Sequence, residues 1–267
     1  MLTENKTGVN CAYCAGHFCT GTNSLNGPEN CPTRVCDEVI KDMMALYHDP
    51  ELGEFARNSA LVEANSFQRV PWSETPVPAT TRLEEIIRLC LRMGYKKIGV
   101  AFCVGFSKEA EILIPILEKA GFEIVSVCCK AGAVPKEEIG VKDEEKVYPG
   151  RFEAMCNPIS QAEILNRADC EFNIMMGLCV GHDALFLRHA KALTTVFAVK
   201  DRLLANNPLS ALYLSGSSYR RILDPNLSEK LMASFRTAET IQKEHANERL
   251  PAKKIRRNRV IAASEQR

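Results

Sequence analysis

Four thiols crowd the segment CAYCAGHFCTGTNSLNGPENCP, at Cys11, Cys14, Cys19 and Cys31. Their spacing is Cys-x2-Cys-x4-Cys-x11-Cys. A Cys-x2-Cys pair brings two sulfurs onto one metal through a tight turn. Four thiolates satisfy either tetrahedral zinc or a cubane iron–sulfur cluster. The last cysteine is followed by Pro32, as in bacterial ferredoxin runs, and the second Cys-x2-Cys of a zinc ribbon is missing. Both details favour a 4Fe-4S cluster. His17 could replace a cysteine in a zinc site, which keeps zinc open as the alternative. Cys36, one helical turn on, reads as a packed helix residue rather than a fifth ligand. The segment 1–32 is too poor in apolar residues to fold alone, and metal binding would order it.

Seven further cysteines, Cys90, Cys103, Cys128, Cys129, Cys156, Cys170 and Cys179, are scattered through the middle of the chain. The elements that carry them decide what they can do. TRVCDEVIKDMMALYHD has apolar Val35, Val39, Ile40, Met43 and Leu46 at helical spacing. A second helix is expected after Pro50, with Leu52, Phe55, Ala56, Ala60 and Leu61 on one side. RVPWSETPVPAT is a Pro-rich connector. From Thr80 on, strands alternate with helices. TTRLEEIIRLCLRMG is a helix with a Thr cap and a stop at Gly94. KKIGVAFC is a strand, SKEAEILIPILEKAG a helix despite Pro115, and FEIVSVCC a second strand. A polar excursion follows. Then come a helix in SQAEILNRAD capped by Ser160, a strand in EFNIMMGLC, a short helix in HDALFLRHA and a strand in LTTVFAVK. Alternation of this kind builds βαβ units and a parallel sheet. The fold class is α/β, with a Rossmann-like sheet of at least four strands and an N-terminal cysteine-rich, metal-bound helical module. The expected divisions are 1–70, 80–224 and 225–267. The last holds a long polar-faced helix, LSEKLMASFRTAETIQKEHANERL, and a basic tail that reads as a solvated terminus.

In an open parallel sheet, ligands bind beyond the carboxyl ends of the strands. Three successive strands end in cysteine there, at Cys103, at Cys128 and Cys129, and at Cys179. Cys156 joins them if the excursion returns to that edge. A single buried Cys at a strand end is ordinary packing. Several at one edge suggest a second metal or thiol site, with Cys129, Cys156 and Cys179 as ligands and Cys103 and Cys128 in reserve. Strand alternation sends Cys128 and Cys129 to opposite faces, so one metal would not take both. Polar groups gather at the same edge: Lys130, then His182 and Asp183, then Lys200 and Asp201. His182 and Asp183 are candidates to move protons, and Lys200 or Lys130 to hold an anionic group. Alternatively, these are a helix cap and a surface ion pair. VGFSKE could cradle an anion at a helix start, but it is not GxGxxG, and no GxxxxGK[ST] occurs.

With 267 residues, 46% of them apolar, the chain can build a substantial core. A formal charge of +1 gives no global attraction to nucleic acid or to an anionic membrane. No run of eighteen apolar residues is present, and MLTENKTGVN does not read as a signal peptide. A cytoplasmic location is expected, where thiols stay reduced and clusters of them read as metal ligands or catalysts.

Taken together, CAYC…C…CP, IGVAFCVGFSKEA, SVCCKAG, CNPISQA and GLCVGHDALF…VKDRLLANNP resemble one family. It is a group of uncharacterised cysteine-rich proteins of anaerobic bacteria and archaea. The resemblance covers roughly residues 9–220. It implies metal binding through Cys11, Cys14, Cys19 and Cys31, and it implies no particular reaction. The function these observations favour is an oxygen-sensitive iron–sulfur protein. An N-terminal cluster would carry electrons or brace the chain. A second, open cluster at the strand edge would do sulfur or redox chemistry on a small molecule, or exchange electrons with a partner. One alternative is a non-enzymatic carrier or regulatory module with one zinc or iron–sulfur site. Another is a thiol enzyme using Cys179 with His182.

Overall fold

The computed structural model describes residues 8–21 and 26–233. These form two compact units. One is built from the residues up to Ile98 with Ile114–Ile124, the other from Gly99–Leu113 and the residues from Val125 on.

The first unit opens with two 3-10 turns, Cys11–Tyr13 and Phe18–Thr20. Helix α1 (Pro32–Val35) starts on Pro32, whose fixed φ suits a first turn. Helix α2 (Asp37–Met44) follows, and a 3-10 turn, Ala45–His48, ends the segment. The single amphipathic helix expected here is broken at Cys36, which sits at φ −119° and ψ 24°. Asp37 and Glu38 in the first turn of α2 favour the restart. The expected apolar stripe is not buried: Val39, Ile40 and Met43 are 60%, 43% and 49% exposed. Helix α3 (Pro50–Ala64) is capped by Asp49, whose carboxylate accepts from the N–H groups of Glu51 and Leu52. It buries Asn58 and Val62, while Leu52 and Ala60 of its expected apolar side are exposed. The Pro-rich connector folds back on itself as a two-stranded antiparallel ribbon, β1 (Phe67–Gln68) with β2 (Val77–Pro78). Strands this short leave no periodicity to read. Helix α4 (Arg82–Arg92) has the expected Thr81 cap, completed by Glu84 as a capping box. It packs on α3 around Asn58, whose carboxamide oxygen accepts from Arg92 Nε at 2.9 Å and whose nitrogen donates to Met93 Sδ.

The remaining elements run β3 (Lys97–Phe102), α5 (Ser107–Lys119), β4 (Glu123–Cys128), α6 (Pro158–Arg167), β5 (Phe172–Met176), α7 (His182–His189), β6 (Thr194–Ala198), α8 (Leu209–Tyr213) and α9 (Leu227–Ala233). The four expected strands are all present, in one parallel sheet of order β4-β3-β5-β6. All five residues of β5 are buried, and so are Ile98, Gly99, Val100 and Ala101 of β3. A sheet covered on both faces needs such runs. Helix α6 starts two residues before the expected cap. Asn157 is its N-cap and accepts from the Ser160 N–H at 3.2 Å, with Pro158 in the first turn. The expected long C-terminal helix is described only as α9; its continuation and the basic tail lie outside the described residues. No helix among the described residues is long and apolar enough to cross a membrane.

Strand order reverses direction between β3 and β5, because the chain goes from β3 out to β4 and returns to β5 on the other side. Such a switch point opens a crevice at the carboxyl ends of the strands. Residues 129–157 come back to this edge. Met155 N–H donates to the Val134 carbonyl at 2.7 Å, and Asn157 N–H donates to the Cys129 carbonyl at 2.8 Å. The return that Cys156 needs therefore exists.

Candidate functional site at the strand edge

All twelve cysteines are free thiols. Three of them form a row at the switch point. Cys129 lies within hydrogen-bond reach of Cys103 and of Cys156. Cys103 and Cys129 are 5% and 1% exposed, and Cys156 is half-buried. Backbone pairing sets the row. Cys103 N–H donates to the Met176 carbonyl at 3.1 Å and Cys129 N–H to the Phe102 carbonyl at 2.8 Å. Gln161 of α6, fully buried, donates through one nitrogen to the carbonyls of Phe102 at 3.2 Å and Val127 at 2.7 Å. It therefore ties together the ends of β3 and β4 that deliver Cys103 and Cys129.

The row is asymmetric in charge. Lys200 Nζ stands 3.0 Å from Cys103 Sγ and 4.8 Å from the centre of the Phe106 ring. The Cys103 thiol is held well below the ordinary range, first by the hydrogen bond from Cys129 and then by Lys200, against the cost of burial. Cys156 is lowered too, again first by Cys129, then by the charges of Lys130 and His182. Cys129 moves the opposite way, since its single S–H lies within reach of either neighbour and the thiol is buried. The directions set the middle thiol, Cys129, apart from two more acidic neighbours. Cys90, by contrast, is pushed up to about 12 by burial and is a core residue.

Phe106 fixes the floor beneath Lys200. Its ring packs where a Cβ on Gly177 would stand, 2.0 Å from the nearest ring atom, and Gly177 has φ +65°. Only glycine fits that turn after β5.

Beside the row, a cavity of about 580 Å3 is lined by Lys130, Cys156, Cys179, His182 and Arg202, with Tyr148, Glu153 and other residues of the excursion forming its far wall. Arg202 donates to Cys179 Sγ at 3.1 Å. Lys130 Nζ donates to the Ala154 carbonyl at 2.5 Å. His182 and Asp183 open α7 with their N–H groups on the Cys179 carbonyl, and His182 Nδ1 is buried without a partner among the described residues.

The structure thus brings Cys156, Cys179, His182 and Lys130 to one cavity. Cys129 is behind Cys156 in the row, and Cys179 is bound to Arg202 instead. Asp183 accepts from the Ala184 N–H and Asp201 from those of Leu203 and Leu204, so both carboxylates hold turns. Lys200 serves Cys103 rather than the cavity wall. Cys128 is half-buried and does not line this cavity. Sequence reasoning missed Arg202 and gave Cys103 only a reserve place. The signal for both was present, since KDR follows β6 and Cys103 ends β3.

The N-terminal cysteines form a separate site. Cys11, Cys14, Cys19, Cys31 and His17 all line one cavity of about 60 Å3. Asn10 accepts from the Ala12 N–H, closing the turn that carries Cys11 and Cys14, and His17 turns the chain with φ 44°. Cys31 is the N-cap of α1, and Thr33 holds its thiol below the ordinary value. Cys36 is not on this cavity. No three His, Cys, Asp or Glu side chains among the described residues stand close enough to hold a single metal ion. Four free thiols and His17 around one cavity are donor types that zinc and iron–sulfur clusters both take.

The family described as Protein of unknown function (DUF1847) matches residues 31–197. The chain belongs to this family. Uncharacterized protein MJ0455 of Methanocaldococcus jannaschii is 42% identical over 206 residues, which are 77% of this chain and 94% of that protein. The resemblance drawn from the cysteine motifs is therefore to the right group, and it extends to an archaeon. No solved structure matches the chain. The family's matched region takes in Cys31 and the edge residues Cys103, Cys129, Cys156, Cys179 and His182; Lys200 and Arg202 follow it.

Proposed function

We propose that the strand edge is a sulfur-chemistry centre acting on a small molecule, in a Rossmann-like domain. The observation that carries this is the row Cys103–Cys129–Cys156, anchored by Lys200 and opening through Cys156 into the cavity of Cys179, His182 and Arg202. Cys156 is the nucleophile. Its thiolate attacks one sulfur of a low-molecular-weight disulfide, the S–S bond breaks, and one thiolate leaves with a proton from His182 or water. Cys129 then attacks Cys156 sulfur in the mixed disulfide as its proton passes to Cys103, and the second thiolate departs and takes up a proton from water. Two electrons move from the Cys129–Cys156 dithiol to the substrate, and an external dithiol restores the pair. Cys11, Cys14, Cys19 and Cys31 would hold a 4Fe-4S cluster, which supplies one-electron transfer when bound. Their turns and the Cys31 cap present the four sulfurs to one cavity.

The test is trapping. The Cys129→Ser chain, treated with a small disulfide, should accumulate a mixed disulfide on Cys156, while the native chain yields a Cys129–Cys156 bond. Absence of both adducts by peptide mass spectrometry would sink the reading.

A second reading follows from the same row. Cys129 and Cys156, with Cys103 or Cys179, would hold an open iron–sulfur cluster. Anaerobic protein would then carry about eight irons and eight sulfides, against about four of each for the N-terminal cluster alone. A carrier or regulatory module without chemistry would show neither thiol trapping nor a second cluster.

A further inference from the structure

Several cations among the described residues are matched by carboxylates. Lys41 pairs with Asp37, Lys97 with Glu123, Lys136 with Glu153, Lys146 with Glu137 and Asp143, and Arg167 with Glu163. The cations at the strand edge have other partners. Lys130 donates to a carbonyl, Lys200 to Cys103 and Arg202 to Cys179, and none of these three pairs with a carboxylate among the described residues. The two carboxylates in the wall are already engaged. Glu153 takes Lys136 and the Tyr148 N–H, and Glu145 takes the Lys142 N–H. The nearest candidates at the edge, Asp183 and Asp201, hold their own turns.

Arg202 lines the cavity and spends one N–H on Cys179. The rest of its planar fork suits a carboxylate or similar oxyanion, which a lysine would meet only as a point charge. Lys130 lies on the wall of the same cavity, beside Cys156. His182 adds a buried Nδ1 with no partner among the described residues. A ligand's oxyanion would supply the missing partners where the protein does not.

We propose that the cavity of Cys156 and Cys179 selects small anionic molecules, clamping a carboxylate or equivalent oxyanion on Arg202 and Lys130 with the reacting sulfur at Cys156. This rests on the sulfur-chemistry reading of the edge and specifies its substrate class. Charge selection by Arg202 does not require that the sulfur be an electron donor, so the two can fail separately.

Iodoacetate and iodoacetamide are nearly the same size and differ in charge, so they read the clamp directly. The full chain, purified anaerobically, is treated with each, and modification of the Cys156 peptide is timed by mass spectrometry. The same peptide in denaturant gives the reference ratio of the two rates. The iodoacetate-to-iodoacetamide ratio at Cys156 is expected to exceed that reference roughly fivefold or more in low salt, and to fall as salt is added. Arg202→Gln should bring the ratio close to the reference, and Lys130→Gln should lower it partway. A native ratio equal to the reference, or one that Arg202→Gln and Lys130→Gln leave unchanged, overturns the clamp while leaving Cys156 reactive. Failure of Cys156 to react with either reagent overturns the sulfur-chemistry reading and the clamp with it.

Discussion

The two cysteine groups differ in how they are held. The N-terminal thiols sit on turns, with Cys11 and Cys19 exposed, and they share a small cavity without a lysine or arginine in its wall. The edge thiols lie at or near the carboxyl ends of the strands, three of them near a cation, and Cys156 and Cys179 line a much larger cavity. Flexible turns can close around a cluster that brings its own binding energy. A sheet edge instead fixes sulfurs before any ligand arrives, and its lysines stabilise thiolates in place. The contrast teaches that a short cysteine motif can gather thiols around one cavity by local turns, while a scattered set is gathered by the course of the sheet.

Several substitutions separate the two groups. The largest effect is expected from Cys14→Ser, which should abolish iron or zinc binding at the N-terminus while Cys156 stays open to alkylation. Metal analysis and peptide mapping on one sample read both. Retention of full metal content would break the division of labour. Next comes Gly177→Ala, which forces a Cβ into the Phe106 ring at a positive φ. It should cost about 3 kcal/mol in a thermal or urea melt, and should also disturb the edge. Gln161→Ala removes the buried clip between the ends of β3 and β4. About 2 kcal/mol of lost stability is expected in the same melt, with no change in N-terminal metal content. The smallest effect is from Lys200→Gln. The Cys103 thiol is held down partly by Lys200, so its titration should move upward. The native chain should keep this thiolate as pH falls below the ordinary thiol range. The variant should lose it nearer neutrality, read as ultraviolet thiolate absorbance.

Much of this was legible in the sequence, and the reasons are local. The alternation from Lys97 to Ala198 gave four strands because fully buried strands are short apolar runs between caps and glycines. The capping box at Thr81 was visible because both partners lie within one turn. The Asn157 cap was missed because Pro158 moves the helix start two residues earlier than Ser160 suggested. The apolar stripe of Val39, Ile40 and Met43 did not become core, since helical spacing shows which side chains share a face but not what covers it. At the site, placing cysteines at strand ends found Cys129, Cys156 and Cys179. It could not find that Cys103 completes the row, nor that Arg202 takes Cys179. Those pairings depend on strand order and on the course of the long excursion, which no local pattern encodes.

The most direct test of the edge as a reaction centre is the pH dependence of Cys156 alkylation by neutral iodoacetamide, followed by peptide mass spectrometry. Cys156 is lowered by Cys129, Lys130 and His182, so its thiolate should persist as pH falls. The account expects a rate that holds through neutrality and declines only well below the usual thiol midpoint of about 8.5. A midpoint at or above that value, or a Cys156 that stays unmodified at every pH in folded protein, would contradict it.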